Sequence, residues 1–364
     1  MTSQLTSGRL PNAAAALAAV EIIDADGHVF ERDAELFEFI DEPYKGRETL
    51  LGFPFFPALD GFHRGAIHAR LGLHAKHETS AAGWLEFLDA SGIRTTVLYP
   101  SQGVACGFIK DPAWARAVTR AYNAWLSARY LRHSSRLQGM ALLPLQDVAA
   151  AVAELRRAVE ELGMVGAVLP AVGLARPLGH LDLDPLYAEA QRLGCALAVH
   201  GGPAQGLGLD GLEKYGQIHA LSHPSAQMLQ LTSVVMNGVF DRFPELRMAF
   251  LEGGAGWVPF LMDRMDRSYE VRRFPEYTGG TRHVPSWYVR ECGIYFGVDL
   301  HERTLGYTAE VVGAEHLLFC SDFPHEVNLA RCRDELHDLA TRADLSPAAR
   351  AAILGDNARR FYRL

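Results

Sequence analysis

Asp26 and His28 are the first residues whose types and spacing indicate chemistry. They lie one residue apart in an apolar stretch, 22–31, that has the composition of a short buried strand. Alternate side chains of a strand point to the same face, so the carboxylate and the imidazole should lie side by side. Such a pair at the end of a strand can begin a divalent-metal site. A surface turn can contain the same pair, so other residues must show whether the pair belongs to a metal site.

Further ionisable residues follow strands predicted later in the chain. His200, Glu252 and Asp322 each end or directly follow an apolar run. If these runs are parallel strands of a barrel, their carboxyl ends meet at one mouth. A divalent metal ion, either zinc, manganese or iron, is the simplest reason for several imidazoles and carboxylates to gather there, and one ion or two would fit. The candidate ligands are Asp26, His28, His200, Glu252 and Asp322.

The elements that must position these residues alternate along the chain. Continuous apolar runs, typical of strands buried on both faces, begin near 22, 95, 139, 166, 195, 247, 294 and 317. Nearly all are followed by a helical pattern, which predicts a TIM (β/α)8 barrel over 21–364 after a flexible arm at 1–20. An open doubly wound sheet is the alternative, although no Gly-x-Gly-x-x-Gly follows any predicted strand. Between the fifth and sixth strands we expect a loop at 203–223 and a helix at 224–240.

A long irregular insertion after the first strand, at about 42–79, is predicted to be a lid. Its aromatic residues suggest that the substrate has an apolar or aromatic body. Arg64, in the same insertion, is a candidate partner for a carboxylate of the substrate. The aromatic residues are Phe53, Phe55, Phe56 and Phe62.

Composition restricts the class of protein. The net charge of −8 argues against nucleic acid and anionic membranes as partners. No apolar run approaches the roughly 18 residues of a membrane span. The five cysteines are scattered and include no Cys-x-x-Cys, which is typical of reduced thiols in the cytoplasm. We expect a cytoplasmic enzyme that acts on a small molecule.

Six motifs in this order make the chain similar to the amidohydrolase superfamily, and most similar to the amidohydrolase-related branch that includes aminocarboxymuconate-semialdehyde-type decarboxylases. The resemblance covers 22–364. It implies that Asp26, His28, His200 and Asp322 bind the metal, and it suggests a homodimer. The motifs are DADGH at 24–28, AVHGG at 198–202, HP at 223–224, GVFDRFP at 238–244, GGAGWVPF at 253–260 and SDFPH at 321–325.

Two departures from the resembled families affect the expected chemistry. The fourth strand has no lysine that could be carboxylated to bridge two metals. Glu252 stands where the decarboxylases of this branch have a catalytic histidine. We therefore consider Glu252 as a general base, a metal ligand or a residue that orients a ligand. His223 is a further catalytic candidate. His325 could reach the metal, but we expect it to hold Asp322 in place or contact the substrate.

Three activities remain open at this point. The first is hydrolysis of an amide, ester or thioester of a small apolar or aromatic acid, in which metal-bound water attacks and Asp322 transfers the proton. The alternative is non-oxidative decarboxylation of an aromatic or unsaturated acid, with Asp322 protonating the remaining carbon. A further alternative is a dinuclear non-haem iron enzyme, either an oxygenase or a thioesterase, with Glu252 bridging the irons.

Overall fold

The computed structural model describes residues 17, 20–59, 61–62, 70, 80–271, 274, 281–325 and 327–364. Within these residues eight parallel strands pair in sequence order. The strands are β1 (Ile23–Val29), β2 (Thr95–Pro100), β3 (Leu137–Leu142), β4 (Gly166–Pro170), β5 (Ala196–His200), β6 (Arg247–Leu251), β7 (Gly293–Val298) and β8 (Leu317–Phe319).

Backbone hydrogen bonds close this sheet into a barrel. The N–H of Asp322 donates to the carbonyl of Asp26 at 2.9 Å, and the N–H of His28 donates to the carbonyl of Phe323 at 2.8 Å. The segment after β8 therefore continues the ladder against β1. The predicted TIM barrel is confirmed, and closure brings residues nearly 300 positions apart in sequence to one end of the molecule.

Helices surround the strands, as in other (β/α)8 barrels. They are α1 (Asp33–Phe37), α2 (Ala81–Ser91), α3 (Pro112–Arg129), α4 (Val148–Glu160), α5 (Asp184–Leu193), α6 (Tyr215–Met236), α7 (Val239–Arg242), α8 (Val258–Val271), α9 (Pro285–Glu291), α10 (Leu305–Val312), α11 (Leu329–Thr341), α12 (Pro347–Ala351) and α13 (Asn357–Tyr362). A π-helical turn at Ala352–Asp356 joins α12 to α13. In the part of the chain that the structure describes, no helix is both long and apolar enough to span a bilayer.

Helix α6 begins earlier than the sequence predicted. We expected a loop as far as 223 and a helix from Pro224, but the helix starts at Tyr215 and contains the proline. The Gln217 side chain accepts a hydrogen bond from the N–H of Lys214 at 3.1 Å, which caps the first turn. A proline inside a helix removes one backbone hydrogen bond, a loss that burial of the helix can offset. As a result, His223 lies on a helix and not in a loop.

The insertion after β1 is described only in part. It contains a short 3₁₀ turn at Glu48–Gly52. Phe55 and Phe56 are buried, whereas Phe53 is 72% exposed. The Trp114 indole donates to the carbonyl of Phe55 at 3.3 Å, which attaches this stretch to α3. The lid and the flexible arm remain predictions.

Candidate metal centre

Asp26, His28 and His200 lie together at the bottom of the barrel mouth. The ligand atoms of all three lie within 4.8 Å of one another. Asp26 Oδ1 is 3.5 Å from His28 Nε2 and 3.4 Å from His200 Nε2. Each side chain is only 1% exposed. Strands β1 and β5 lie far apart in sequence but project these residues from the same end of the barrel.

The two imidazoles are oriented by their Nδ1 atoms. His28 Nδ1 lies 3.1 Å from the carbonyl of Pro100, and His200 Nδ1 lies 2.9 Å from the carbonyl of Gly201. A carbonyl can only accept, so each Nδ1 carries a proton and each Nε2 is the nitrogen left to bind a metal. Neither Nε2 nor Asp26 Oδ1 has a hydrogen-bond partner among the described residues. Three buried potential ligand atoms that face one another fit a divalent cation.

Asp322 adds a carboxylate on the open side of this group. Its Oδ1 is 3.5 Å from His28 Nε2, and its side chain is 28% exposed. Asp322, His28 and His325 form a second set whose ligand atoms lie within 4.8 Å of one another. The backbone of Asp322 is left-handed, with φ of 52°. Such a conformation is uncommon outside glycine and is found where a functional site requires it.

Glu252 and His223 form a pair on the other side of His200. Glu252 Oε2 is 3.3 Å from His200 Nδ1 and 3.6 Å from His223 Nε2. It therefore faces the nitrogen of His200 that points away from Asp26, and it is not a member of either metal-capable set in the described residues. The Glu252 side chain is 26% exposed and its φ is 58°. Its position suits a residue that orients a ligand.

Charges in the centre favour a cation. Burial raises the pKa of Asp26 to about 6. Burial also lowers the pKa of His28 well below its usual value, which keeps this imidazole neutral. Burial opposes protonation of His200 as well, but Asp26 and Glu252 outweigh it and raise its pKa to about 10. A positive charge at His200 Nε2 is thus stabilised by its surroundings, and a divalent ion would take the place of the proton.

The Glu252 and His223 pair is also strongly coupled by charge. Burial opposes ionisation of Glu252, but His223 and His200 hold its pKa well below the usual range. Burial likewise opposes protonation of His223, and Glu252 raises its pKa. Each group of the pair thus favours the charged form of the other.

A sequence model of the amidohydrolase family matches residues 23–364 of the chain. The chain belongs to this family. This match and the similarity to two decarboxylases of that branch confirm the amidohydrolase-related branch inferred from the motifs. The protein is an amidohydrolase-related enzyme, a metal-dependent hydrolase or decarboxylase.

Related proteins of known activity narrow the alternatives for this amidohydrolase. Gamma-resorcylate decarboxylase of Rhizobium radiobacter is 30% identical over 292 residues, which cover 77% of this chain and 86% of the relative. The 2-amino-3-carboxymuconate-6-semialdehyde decarboxylase of Dictyostelium discoideum is 25% identical over 265 residues, covering 72% and 70%. Both relatives support the decarboxylase alternative, and neither supports the hydrolase that the sequence suggested first.

A solved structure has the same fold as this amidohydrolase. It is 5-carboxyvanillate decarboxylase from Novosphingobium aromaticivorans with bound manganese, which superposes with a TM-score of 0.73 at 17% identity. The match covers 95% of this chain and 97% of that one. At this identity the likeness concerns the fold alone.

Sequence reasoning missed Asp24, which hydrogen-bonds to residues of β2 and of the segment after β8 that adjoin the candidate metal centre of the amidohydrolase. Asp24 is fully buried, and its Oδ2 accepts hydrogen bonds from Thr96 Oγ1 and Ser321 Oγ, both at 2.8 Å. Its Oδ1 accepts from the N–H of Ser321 at 2.8 Å. Burial raises its pKa. The only signal in the sequence was a second acid at the alternate position of the same strand.

The predicted site residues of the amidohydrolase thus fall into three positions. Asp26, His28 and His200 form one group, Asp322 and His325 extend it through His28, and Glu252 and His223 lie beyond His200. Arg64 lies outside the described residues.

Proposed function

We propose that the protein is a metal-dependent, non-oxidative decarboxylase of a small aromatic acid. One observation carries this proposal. Three buried ligands, each 1% exposed, lie beneath Asp322, which is 28% exposed and directly beside them. An anionic substrate that reaches the metal from the open side must therefore pass next to a carboxyl group that can transfer a proton. The activities of the two relatives agree with this chemistry.

The proposed ligands are Asp26, His28, His200 and Asp322. Mixed imidazole and carboxylate ligands suit manganese, which is bound in the solved decarboxylase of the same fold, and we propose one manganese ion. When bound, such an ion supplies positive charge that holds the substrate carboxylate and an adjacent oxygen.

Asp322 is the proposed proton donor. In decarboxylation the bond between the ring carbon and the carboxylate breaks, and its electron pair stays on the ring carbon. The carboxyl proton of Asp322 forms the new C–H bond, and carbon dioxide leaves. Asp322 then takes a proton from solvent, which its partial exposure permits. Each turnover consumes one proton in total.

Glu252 and His223 are proposed to act from the other wall of the mouth. The carboxylate of Glu252 faces His200 Nδ1 and helps to keep the Nε2 lone pair directed at the metal position. His223 Nε2 is buried and makes no hydrogen bond with the described residues. It can donate a hydrogen bond to an oxygen of the substrate. Both residues are therefore catalytic candidates in this proposal.

The direct test is carbon dioxide release by the manganese-loaded protein. Gamma-resorcylate and 5-carboxyvanillate, the acids after which the relatives are named, are the first substrates to try. We expect carbon dioxide and the decarboxylated phenol in equal amounts, and no release by His200→Ala. Hydrolysis of aryl esters or amides without carbon dioxide release from any aromatic acid in a broad panel would contradict the proposal.

A further inference from the structure

Glu31 is a buried acid that the proposed chemistry does not use. It lies two residues after β1 and is 2% exposed. Its Oε2 accepts hydrogen bonds from the N–H groups of Ser101 at 3.2 Å and Gln102 at 3.0 Å. Its Oε1 accepts from the N–H of Gly103 at 2.9 Å. A buried carboxylate needs such donors to be tolerated, so these contacts hold the turn after β2 against the end of β1.

Ser101 links this turn to a side chain in the barrel mouth. Its Oγ is 3.0 Å from Nε2 of His325. The His325 ring packs edge-on against the His28 ring, with centroids 4.4 Å apart, and also against the Phe30 ring at 5.1 Å. The hydrogen bond between Ser101 and His325 therefore fixes the rotation of an imidazole that packs beside His28, a proposed metal ligand.

His325 belongs to the second metal-capable set, with His28 and Asp322. The N–H of His325 also donates to the carbonyl of Asp322 at 2.9 Å, in the turn that gives Asp322 its left-handed backbone. A shift of the His325 ring would thus disturb the side of the centre at which the substrate is proposed to enter.

We infer that Glu31 is a positioning residue that acts on the metal centre through Ser101 and His325. The inference rests on the proposed function, because it requires that the centre binds a divalent ion. Outer partners of metal ligands typically change metal affinity by about 10- to 100-fold when they are removed.

The experiment must distinguish a positioning role of Glu31 from a contribution to the overall stability of the barrel alone. Glu154 is a suitable control, because it is also a buried acid, 3% exposed, with hydrogen bonds to Asn123, Arg120 and Arg157. These partners lie on α3 and α4, and none of them is a proposed metal ligand. If loss of any buried carboxylate loosened the barrel enough to weaken the metal site, Glu154→Gln would do so as well.

The experiment is a Mn²⁺ titration of the metal-free full-length protein, with free Mn²⁺ followed by electron paramagnetic resonance. Glu31→Gln, Ser101→Ala and His325→Asn are compared with the wild type and with Glu154→Gln. We expect each of the first three to weaken Mn²⁺ binding by about tenfold or more, and Glu154→Gln to bind as the wild type does. In the His325→Asn background, neither Glu31→Gln nor Ser101→Ala should weaken binding further.

Wild-type affinity in either Glu31→Gln or Ser101→Ala would overturn the inference. So would losses that multiply in the double variants, because Glu31 would then act independently of His325. If Glu31→Gln does not fold, Ser101→Ala decides alone, since it keeps the carboxylate and removes only the link to His325. A wild-type protein that binds no Mn²⁺ would contradict the metal site of the proposed function itself, before any variant is compared.

Discussion

At the scale of single residues, the two partly exposed carboxylates of the mouth share an unusual backbone. Asp322 and Glu252 have φ of 52° and 58°, whereas most non-glycine residues avoid positive values. Each such residue destabilises the fold by about 1–3 kcal/mol unless its surroundings compensate. Asp24 provides such support behind Asp322 by holding Ser321 in place. The strain indicates that the directions of these side chains matter more than local backbone preference.

Replacing Asp322 with asparagine tests the proton-transfer role. Asparagine has the same shape and tolerates a left-handed backbone, so Asp322→Asn should fold normally. It cannot donate a carboxyl proton, and we expect turnover to fall by at least about 100-fold, the lower end for loss of a general acid. Turnover is measured as carbon dioxide release with saturating Mn²⁺, and folding by thermal unfolding. Activity close to the wild-type value would remove Asp322 from the proposed role.

Metal affinity should depend on pH through His200. The pKa of this imidazole is raised to about 10 without a metal, so near neutral pH the metal must displace one proton. The apparent affinity for Mn²⁺ should therefore rise about tenfold per pH unit between roughly pH 6.5 and 8.5. The dependence should be steeper below about pH 6, where Asp26 must also lose a proton. Titrations at several pH values measure the slope, and an affinity that does not change with pH would contradict the proton displacement.

At the scale of elements, α6 connects the strands that carry His200 and Glu252. Gln227, four residues after His223, donates from Nε2 to the carbonyls of Val199 at 3.2 Å and Leu251 at 2.5 Å. These carbonyls immediately precede the two site residues. One face of α6 therefore supports both walls of the mouth.

Gln227→Leu should lower both stability and metal affinity. It leaves the carbonyls of Val199 and Leu251 without the amide donor, which destabilises the folded state by about 1–3 kcal/mol. It also removes the link from α6 to the ends of β5 and β6. Asn357→Leu is the matched control, because Asn357 is also buried and its amide donates to two carbonyls, those of Ala314 and Leu317, at the opposite end of β8 from Asp322. Urea unfolding and Mn²⁺ titration of both variants are required. Equal Mn²⁺ affinities in the two variants would show that Gln227 only stabilises the fold.

Gly27 is required by the packing of β1 between its neighbours. A Cβ at this position would lie 2.5 Å from Thr96 Oγ1 and 2.5 Å from the Trp84 ring, both of which are fully buried. Gly27→Ala should therefore destabilise the protein by about 1–3 kcal/mol through overpacking. Gly52→Ala is the control, since nothing lies within 4 Å of its added Cβ. Equal unfolding free energies for the two variants would contradict the overpacking expected at Gly27.

At the scale of the whole molecule, closure of the barrel should couple metal binding to stability. The proposed ligands come from β1, β5 and the segment after β8, so a bound ion would link both ends of the sheet. A ligand that binds only the folded state stabilises it by about 2.7 kcal/mol at 100 times its Kd. We expect chelation to lower the Tm of the manganese-loaded protein, as measured by calorimetry. His200→Ala should show little shift, and an unchanged Tm in the wild type would contradict the coupling.

Some expectations about the whole molecule still await experiments. The homodimer, the cytoplasmic location and the lack of nucleic-acid or membrane partners remain predictions from the resemblance and composition. Arg64 and the stretch of the predicted lid around it, 63–69, lie outside the described residues.

The sequence by itself determined the number and order of the strands and the residues at their carboxyl ends. Apolar runs are local signals, so eight strands could be counted, and the alternation of side chains along one strand placed Asp26 beside His28. The same local signals misplaced the start of α6, because the proline at 224 suggested a helix start that tertiary packing overrode.

Only the tertiary structure decided how the site residues face one another. The sequence could not show that Glu252 lies at the far nitrogen of His200, or that Glu31 reaches His325 through Ser101. These contacts join residues 52 to 224 positions apart, and their geometry depends on barrel closure and on backbone turns after each strand. Residue types and spacing determine which groups reach the mouth, but only the folded backbone determines the atoms through which they meet.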